Sequence, residues 1–273
     1  MKIYLSADIE GVACISAPNE SDMAHAAEYA PFRKQMTDEV VAACAGAFEA
    51  GASHIVVKDA HWTGRNLDPH AFSTPADKQL QLIRGWSGHP FSMVQGIDAS
   101  FERAVFVGYH SAAGRGGNPL SHTVSGRLFA RIELNGKNAS EFRLFALAAA
   151  SVGVPVAFLS GDLAQCEEAE RAMPGIQTVA TLEGFGPSVL SLSPDESVRR
   201  IREGVRQAVS GDAPACMAVP NQLDLRVTFA KAHDAYSRSF YPGVRQLSDT
   251  TLQLESDKLF DVLTFIKIAS RMT

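Results

Sequence analysis

Seven residues in this 273-residue chain bear on a possible metal site, and their spacing sets the first question. Asp8 and Glu10 stand two apart just beyond a short apolar run. Asp59 and His61 stand beyond a second such run, and His110 beyond a third. Glu141 falls in the first turn of a predicted helix, and His122 sits on a glycine-rich loop after His110. Carboxylates and imidazoles together suit zinc or a similar transition metal. The oxygen-only shell that magnesium prefers rarely recruits two histidines. Taken singly, each has an ordinary explanation. Strand ends are commonly polar, a lone histidine is usually a surface or satisfied core residue, and an acidic residue is favoured at a helix N-terminus by the macrodipole. Their joint placement at successive strand ends is what suggests a shared site.

The elements that must position them alternate from the start. Lys2 to Ala7 reads as a strand, followed by a helix from about Asp38 with Thr37 as N-cap. Val41, Cys44, Ala45 and Phe48 recur there at helical spacing, and Gly51 ends the run. His54 to Lys58 and Ala104 to Val107 are the next strands, closing at Asp59-Ala60-His61 and Gly108-Tyr109-His110. Asn135-Gly136 marks a hairpin or tight turn. A helix from about Ala139 to Val152 leads into a buried strand over Val154 to Leu159. Ser193-Pro194-Asp195-Glu196 opens a helix with a cap, a proline at the first position and a glutamate three residues on. Leu223 to Ala230 and Thr250 to Glu255 are alternating strands, and a last helix runs from Asp257 to about Met272. Strands divided by helical patterns predict an α/β fold with a parallel sheet covered on both faces. In such sheets ligands collect outside the carboxyl ends of the strands, where three of these residue sets lie.

Composition narrows the function classes. Lys+Arg 25 against Asp+Glu 30 gives a net charge of −5, with 46% hydrophobic and 20% charged residues. That balance builds a sizeable core and lacks the basic excess of a nucleic-acid partner. No apolar run approaches the ~20 residues needed to cross a bilayer, so no membrane role is expected. The N-terminus enters a strand directly, and the chain reads as cytoplasmic. Cys14, Cys44, Cys166 and Cys216 are scattered with no Cys-x-x-Cys pair, which predicts small core residues rather than disulfides or a thiolate zinc site. The loop Ser111–His122 carries Gly114, Gly116 and Gly117, which would let His122 reach a bound substrate. The loop Asp59–Asn66 is similar, with Asn66 as a polar contact. No G-x-G-x-x-G follows the first strand, and neither a P-loop nor a G-x-S-x-G elbow is present.

Ser6-Ala7-Asp8-Ile9-Glu10-Gly11 resembles the N-terminal signature of the D-aminopeptidases, dinuclear-zinc metallopeptidases often labelled dipeptide-transport proteins. The resemblance continues through Phe48-Glu-Ala-Gly51, Asp59-Ala-His61, Asn66-Leu67, Pro90 to Gly96, Gly108-Tyr-His110, Ser121-His122, Gly153-Val-Pro155 and Ser160-Gly-Asp162. It spans at least residues 1–162 in one order, and the whole of 1–273 is expected to be one such unit.

The resemblance implies a Rossmann-like, mostly parallel sheet flanked by helices, with a smaller α/β subdomain. It also implies two zinc ions per chain, with Asp8 bridging them. Glu10 and His110 would complete one ion's ligands, and His61 with Glu141 the other's. His122 would be the catalytic histidine, as nucleophile or as proton shuttle. The activity implied is removal of the N-terminal residue, a D-amino acid among the candidates, from short peptides by a metal-activated water. The implied assembly is a homodecamer of two stacked pentamers. One departure stands out: Phe145 occupies the place where the family commonly has Asn, which bears on substrate choice. The alternatives are a metal-dependent amidohydrolase or phosphoesterase acting on a non-peptide substrate, and a peptide-binding protein without turnover.

Overall fold

Alternate residues of the first strand feed two different cores. Ile3, Leu5 and Ala7 enter one apolar cluster and Tyr4 the other, so both faces of the strand are buried. The same holds for Val105 and Val107 against Ala104 and Phe106. This is the near-continuous apolar pattern of a parallel sheet covered on both sides.

The computed structural model describes residues 1–270. In chain order the elements are β1 (Lys2–Ala7), α1 (Pro18–Ser21), α2 (Ala26–Glu49), β2 (His54–Asp59), β3 (Gln79–Ile83), β4 (Arg103–Tyr109), β5 (Phe129–Leu134), β6 (Lys137–Asn138), α3 (Glu141–Ser151), β7 (Val156–Asp162), α4 (Leu163–Ala172), β8 (Gln177–Phe185), β9 (Ser188–Ser191), α5 (Pro194–Ser210), β10 (Leu223–Phe229), α6 (Ala232–Arg238), β11 (Val244–Gln246), β12 (Thr251–Ser256) and α7 (Leu259–Ala269). A seven-stranded sheet has the order β3-β2-β1-β4-β7-β8-β9 and is parallel except for the β8–β9 hairpin. Helices α2 and α5 pack on each other and on one of its faces, through Met36, Val40, Ala47, Ile201 and Val205. A Cβ on Gly46 would lie 2.2 Å from the Arg202 carbonyl oxygen, so the two helices cross backbone against backbone.

A second, antiparallel sheet has the order β11-β12-β10-β5-β6. Helices α6 and α7 pack on it, and α3 lies between α7 and β4, linking the two sheets. This is the smaller α/β part. It is built from two separate stretches of chain, around β5–β6 and from β10 onward, which is why no linker marks it in the sequence. Among the described residues no helix is long and apolar enough to cross a membrane.

Two expectations are corrected. The helix α2 begins at Ala26, not near Asp38, and runs through Pro31. Proline reads as a breaker, but here it stands early in a long helix whose tertiary packing outweighs one missing backbone bond. Thr37 is therefore interior, and its hydroxyl donates to the Arg33 carbonyl at 2.9 Å instead of capping. Of the four cysteines only Cys44 and Cys166 are buried; Cys14 and Cys216 are exposed, because both lie on loops rather than inside elements. The last helix is seen from Leu259 to Ala269, and its expected end at Met272 lies outside the described residues.

One buried acid ties α2 to the loop after β1. Glu39 Oε1 accepts from the Ala13 N–H at 2.9 Å, Gln35 Nε2 at 2.9 Å and Ser197 Oγ at 2.8 Å. Burial outweighs these three hydrogen bonds and pushes its carboxyl from 4.5 up to about 7. The native state then holds a proton that the unfolded chain releases between pH 4.5 and 7, so this group's contribution to stability falls as pH rises through that window. The loss amounts to ~3 kcal/mol at the upper end. In Glu39→Gln this component is expected to vanish. Urea unfolding from pH 4.5 to 7.5 should show the stability difference between variant and wild type shifting in the variant's favour as pH rises, and a constant difference would refute it.

Candidate metal centre

The site sits at the point where the strand order reverses, between β1 and its neighbours β2 and β4. Two backbone crossings build it. The Asp8 N–H donates to the Val107 carbonyl and the Gly11 N–H to the Gly108 carbonyl, both at 2.8 Å. Gly108 has φ +75°, and a Cβ there would lie 2.2 Å from the Asp8 carbonyl oxygen. The loops bearing Asp8, Glu10 and His110 can approach this closely only because that residue has no side chain. From the loop after β4, Asn118 Nδ2 donates to the Glu10 carbonyl at 2.7 Å and fixes the second carboxylate's backbone.

All five residues proposed as ligands are buried and meet here: Asp8, Glu10, His61, His110 and Glu141. His61 Nδ1 lies 3.2 Å from Asp8 Oδ1 and 3.1 Å from Glu10 Oε2. His110 Nε2 lies 3.6 Å from both Asp8 Oδ2 and Glu141 Oε2. His122 Nε2 is 3.7 Å from Glu141 Oε1, and its ring stacks on His110 with centroids 4.3 Å apart. Asp8 thus reaches towards two groups, Glu10 with His61 on one oxygen and Glu141 with His110 on the other. The set that the resemblance places on one ion, Asp8 with Glu10 and His110, is brought together as well, its ligand atoms within 4.8 Å of one another, as are those of His110, His122 and Glu141.

Each histidine is oriented by a backbone carbonyl. His61 Nε2 lies 2.8 Å from the Ser21 oxygen, His110 Nδ1 2.9 Å from the Ser111 oxygen, and His122 Nδ1 3.0 Å from the Leu120 oxygen. A carbonyl only accepts, so that ring nitrogen carries a proton and the opposite nitrogen faces the carboxylates. This is the arrangement found behind metal-ligating imidazoles. Glu141 is the first residue of α3, after the N-cap Ser140. Its Oε1 accepts the Val124 N–H at 2.6 Å. Val124 has φ +63°, a costly conformation for a β-branched residue, spent on aiming that N–H.

The charges respond strongly to one another. Burial and the neighbouring Glu10 charge raise the Asp8 carboxyl well above its usual range. Burial pushes Glu141 up, but His110 overrides it and holds the carboxyl at about 2. Burial pushes His110 down, but Glu141 and Asp8 override it and raise the ring to about 10. Burial likewise opposes His61, and Glu10 with Asp8 raise it well above its usual value. The cluster therefore holds protons on the nitrogens that face the carboxylates, and a metal ion would take their place. The fit is chemical as well as electrostatic. Glu10 Oε2 and His110 Nε2 are buried and have only these ion-pair contacts, with no hydrogen bond of good geometry. A mixed nitrogen and oxygen donor set with two such atoms suits zinc.

The chain matches the family profile described as D-aminopeptidase over residues 1–268. It belongs to the D-aminopeptidase family. A D-aminopeptidase of Bacillus subtilis (strain 168) is 30% identical over 266 residues, covering 96% of this chain and 93% of that protein. The solved structure of the Zn-dependent D-aminopeptidase DppA from Bacillus subtilis, described as a self-compartmentalizing protease, superposes with a TM-score of 0.91 at 27% identity. That match covers 100% of this chain and 99% of the other.

In this D-aminopeptidase family member, Asp59 does not join the cluster although it ends β2. Its carboxylate accepts from the Asn66 and Leu67 N–H groups and from Asn66 Nδ2, while Asn66 Nδ2 also donates to the His61 carbonyl at 2.7 Å. Tyr29 from α2 then donates to Asn66 Oδ1 at 2.7 Å. Asp59 and Asn66 thus shape the His61 loop. A pocket of about 670 Å³ opens over the cluster, and Phe145, one turn beyond Glu141 on α3, lines it. Trp62, Trp86, Ser92 and Lys267 line it too, and the sequence reading passed over all four as site residues. One signal was available: the chain has only two tryptophans, and one falls between His61 and Asn66.

Proposed function

We propose that this chain is a zinc-dependent aminopeptidase that removes the N-terminal residue, a D-amino acid, from short peptides. The observation that carries the reading is the set of three imidazoles, each held by a backbone carbonyl so that its other nitrogen faces shared carboxylates. Two zinc ions per chain are proposed, and Asp8, Glu10, His61, His110 and Glu141 would hold them. When bound, such a pair supplies Lewis-acid polarisation of the scissile carbonyl and lowers the pKa of the attacking water.

The protein's own groups do the rest. Glu141 is anchored by Val124 on one oxygen, which leaves the other towards His110. His122 carries its fixed proton on Nδ1 and presents Nε2 to the pocket, where it can take a proton and return it to the leaving amine.

The DppA relative's description as self-compartmentalizing supports assembly of this chain as a homo-oligomer, with a decamer of two stacked pentamers as the proposed form. Four free cysteines suit a reducing compartment, and the cytoplasm is proposed as the place of action. The chain is taken to act as one unit.

The test is elemental analysis of untagged protein, paired with amino-acid release from D-Ala and L-Ala dipeptides with and without chelator. About two zinc ions per chain and chelator-sensitive, D-selective release are expected. Metal without peptide turnover would move the substrate elsewhere, and protein that takes up no metal would end the proposal.

A further inference from the structure

One of the chain's two tryptophans stands exposed on the wall of the pocket. Trp62 directly follows the ligand candidate His61, lines the pocket and is 65% exposed. Its backbone is firmly held. The Gly64 N–H donates to the His61 carbonyl at 2.7 Å, which closes a tight turn with Trp62 as its second residue. The Gly85 N–H donates to the Gly64 carbonyl at 2.7 Å, and Trp86 Nε1–H to the Trp62 carbonyl at 2.7 Å. A Cβ on Gly64 would lie 2.9 Å from the Gly85 Cα, so the turn is pressed backbone against backbone.

The position is unfavourable for a tryptophan in two ways. Its φ of +41° lies in the left-handed region, which tight turns usually give to glycine, asparagine or aspartate. Its large apolar surface faces water, and among the described residues no hydrogen bond, ring or cation engages the indole. Strained residues of this kind gather where a ligand is held. The pocket's two other apolar aromatic side chains are less available. Phe145 is buried, and the half-buried Trp86 has the Lys58 and Lys267 ammoniums 3.9 and 4.7 Å from its ring centroid.

Which part of a peptide the indole meets follows from direction. Asp8, Glu10, His61 and Glu141 line the same pocket and are buried, so the pocket runs from buried carboxylates to an exposed ring. The bond that an aminopeptidase cuts has one residue on its amino side, and everything after that bond must run towards solvent. Consecutive Cα atoms stand ~3.8 Å apart, about the advance of one residue in an extended substrate. A residue directly after His61 is therefore placed for the first substrate residue past the bond.

We propose that Trp62 is a stacking platform for the second residue of a short peptide and selects a large apolar, above all aromatic, side chain there. This rests on the aminopeptidase reading and deepens it by naming the substrate class. Two aromatic rings attract each other beyond the apolar area they bury, so phenylalanine gains most from the contact.

The experiment measures kcat/KM of zinc-loaded enzyme on D-Ala-Gly, D-Ala-Leu and D-Ala-Phe, with D-Phe-Gly as the positional control. Wild type is expected to prefer D-Ala-Phe to D-Ala-Gly on the order of tenfold or more, with D-Ala-Leu between them. In Trp62→Gly, which suits the left-handed backbone, that ratio falls towards one. Trp62→Phe keeps a ring and most of the ratio, while zinc content and sedimentation match wild type in both variants. Trp62→Asn also tolerates that φ and gives the same reading if the glycine variant fails to fold. A wild-type ratio near one overturns the proposal, as does an unchanged ratio in Trp62→Gly. A loss that falls instead on D-Phe-Gly relative to D-Ala-Gly puts the ring on the first residue and overturns it too. So does dissociation of the assembly in Trp62→Gly, which would make the indole a contact between copies of the chain. Equal hydrolysis of all four peptides sinks only the platform. No hydrolysis of any sinks the aminopeptidase reading, and the platform with it.

Discussion

Replacing His110 with alanine is expected to lower kcat/KM by a factor of ~10³ or more, the equivalent of losing several kcal/mol of Lewis-acid stabilisation. His110 is buried in the crossing of the β1 and β4 loops, and its Nε2 is one of the two buried cluster atoms without a hydrogen-bond partner. Removing the ring leaves Glu141 with one imidazole neighbour instead of two and strips Asp8 Oδ2 of its facing nitrogen. Bound zinc should fall below the wild-type content in the same preparation. Gln at this position is the sharper variant, since it keeps volume and polarity but not imidazole basicity. Elemental analysis and peptide release on both variants decide the matter. Full zinc content with full activity in His110→Gln would remove His110 from the ligand set.

The convergence of Asp8, His61 and His110 was legible because parallel strands have a fixed rule. Their carboxyl ends point the same way, so residues just beyond β1, β2 and β4 must share a crevice. The rule depends only on recognising three apolar runs, and β1, β2 and β4 are each buried at every residue but the first. Glu141 and His122 were harder to place. One sits on a helix and the other on a loop, and neither element has a sequence rule that aims it. Their arrival depends on Val124, whose strained backbone no propensity predicts. The shorter strands β3, β6, β9 and β11 lie at sheet edges or in hairpins, where few residues are fully buried and the period-two signal is weak. Lys58 shows the opposite failure. A lysine closing an apolar strand reads as the turn towards solvent, yet here it is buried because two backbone carbonyls and an indole face satisfy its ammonium. Asp59 was placed at the right strand end but turns to its own loop, because Asn66 and Leu67 offer it three donors.

The opposite signature is expected of His122→Ala: turnover falls by ~10²–10⁴-fold, the range for a positioned acid–base group, while zinc content stays at the wild-type level. The separation follows from where the ring sits. His122 keeps 23% of its side-chain surface exposed, whereas the five proposed ligands are nearly inaccessible. Its Nε2 lies 3.7 Å from Glu141 Oε1, an oxygen already held by the Val124 N–H, so losing the ring leaves that carboxylate anchored. The ring is partly exposed and lines the pocket, and the fold should be unaffected. Added imidazole offers a further readout, because the stacking gap against His110 is open on the pocket side and a free ring can occupy it. Partial recovery of turnover by imidazole, in His122→Ala and not in His110→Ala, would assign proton transfer to this ring. Loss of zinc on substituting His122 would instead make it a ligand, with His110, His122 and Glu141 as the group that holds the ion.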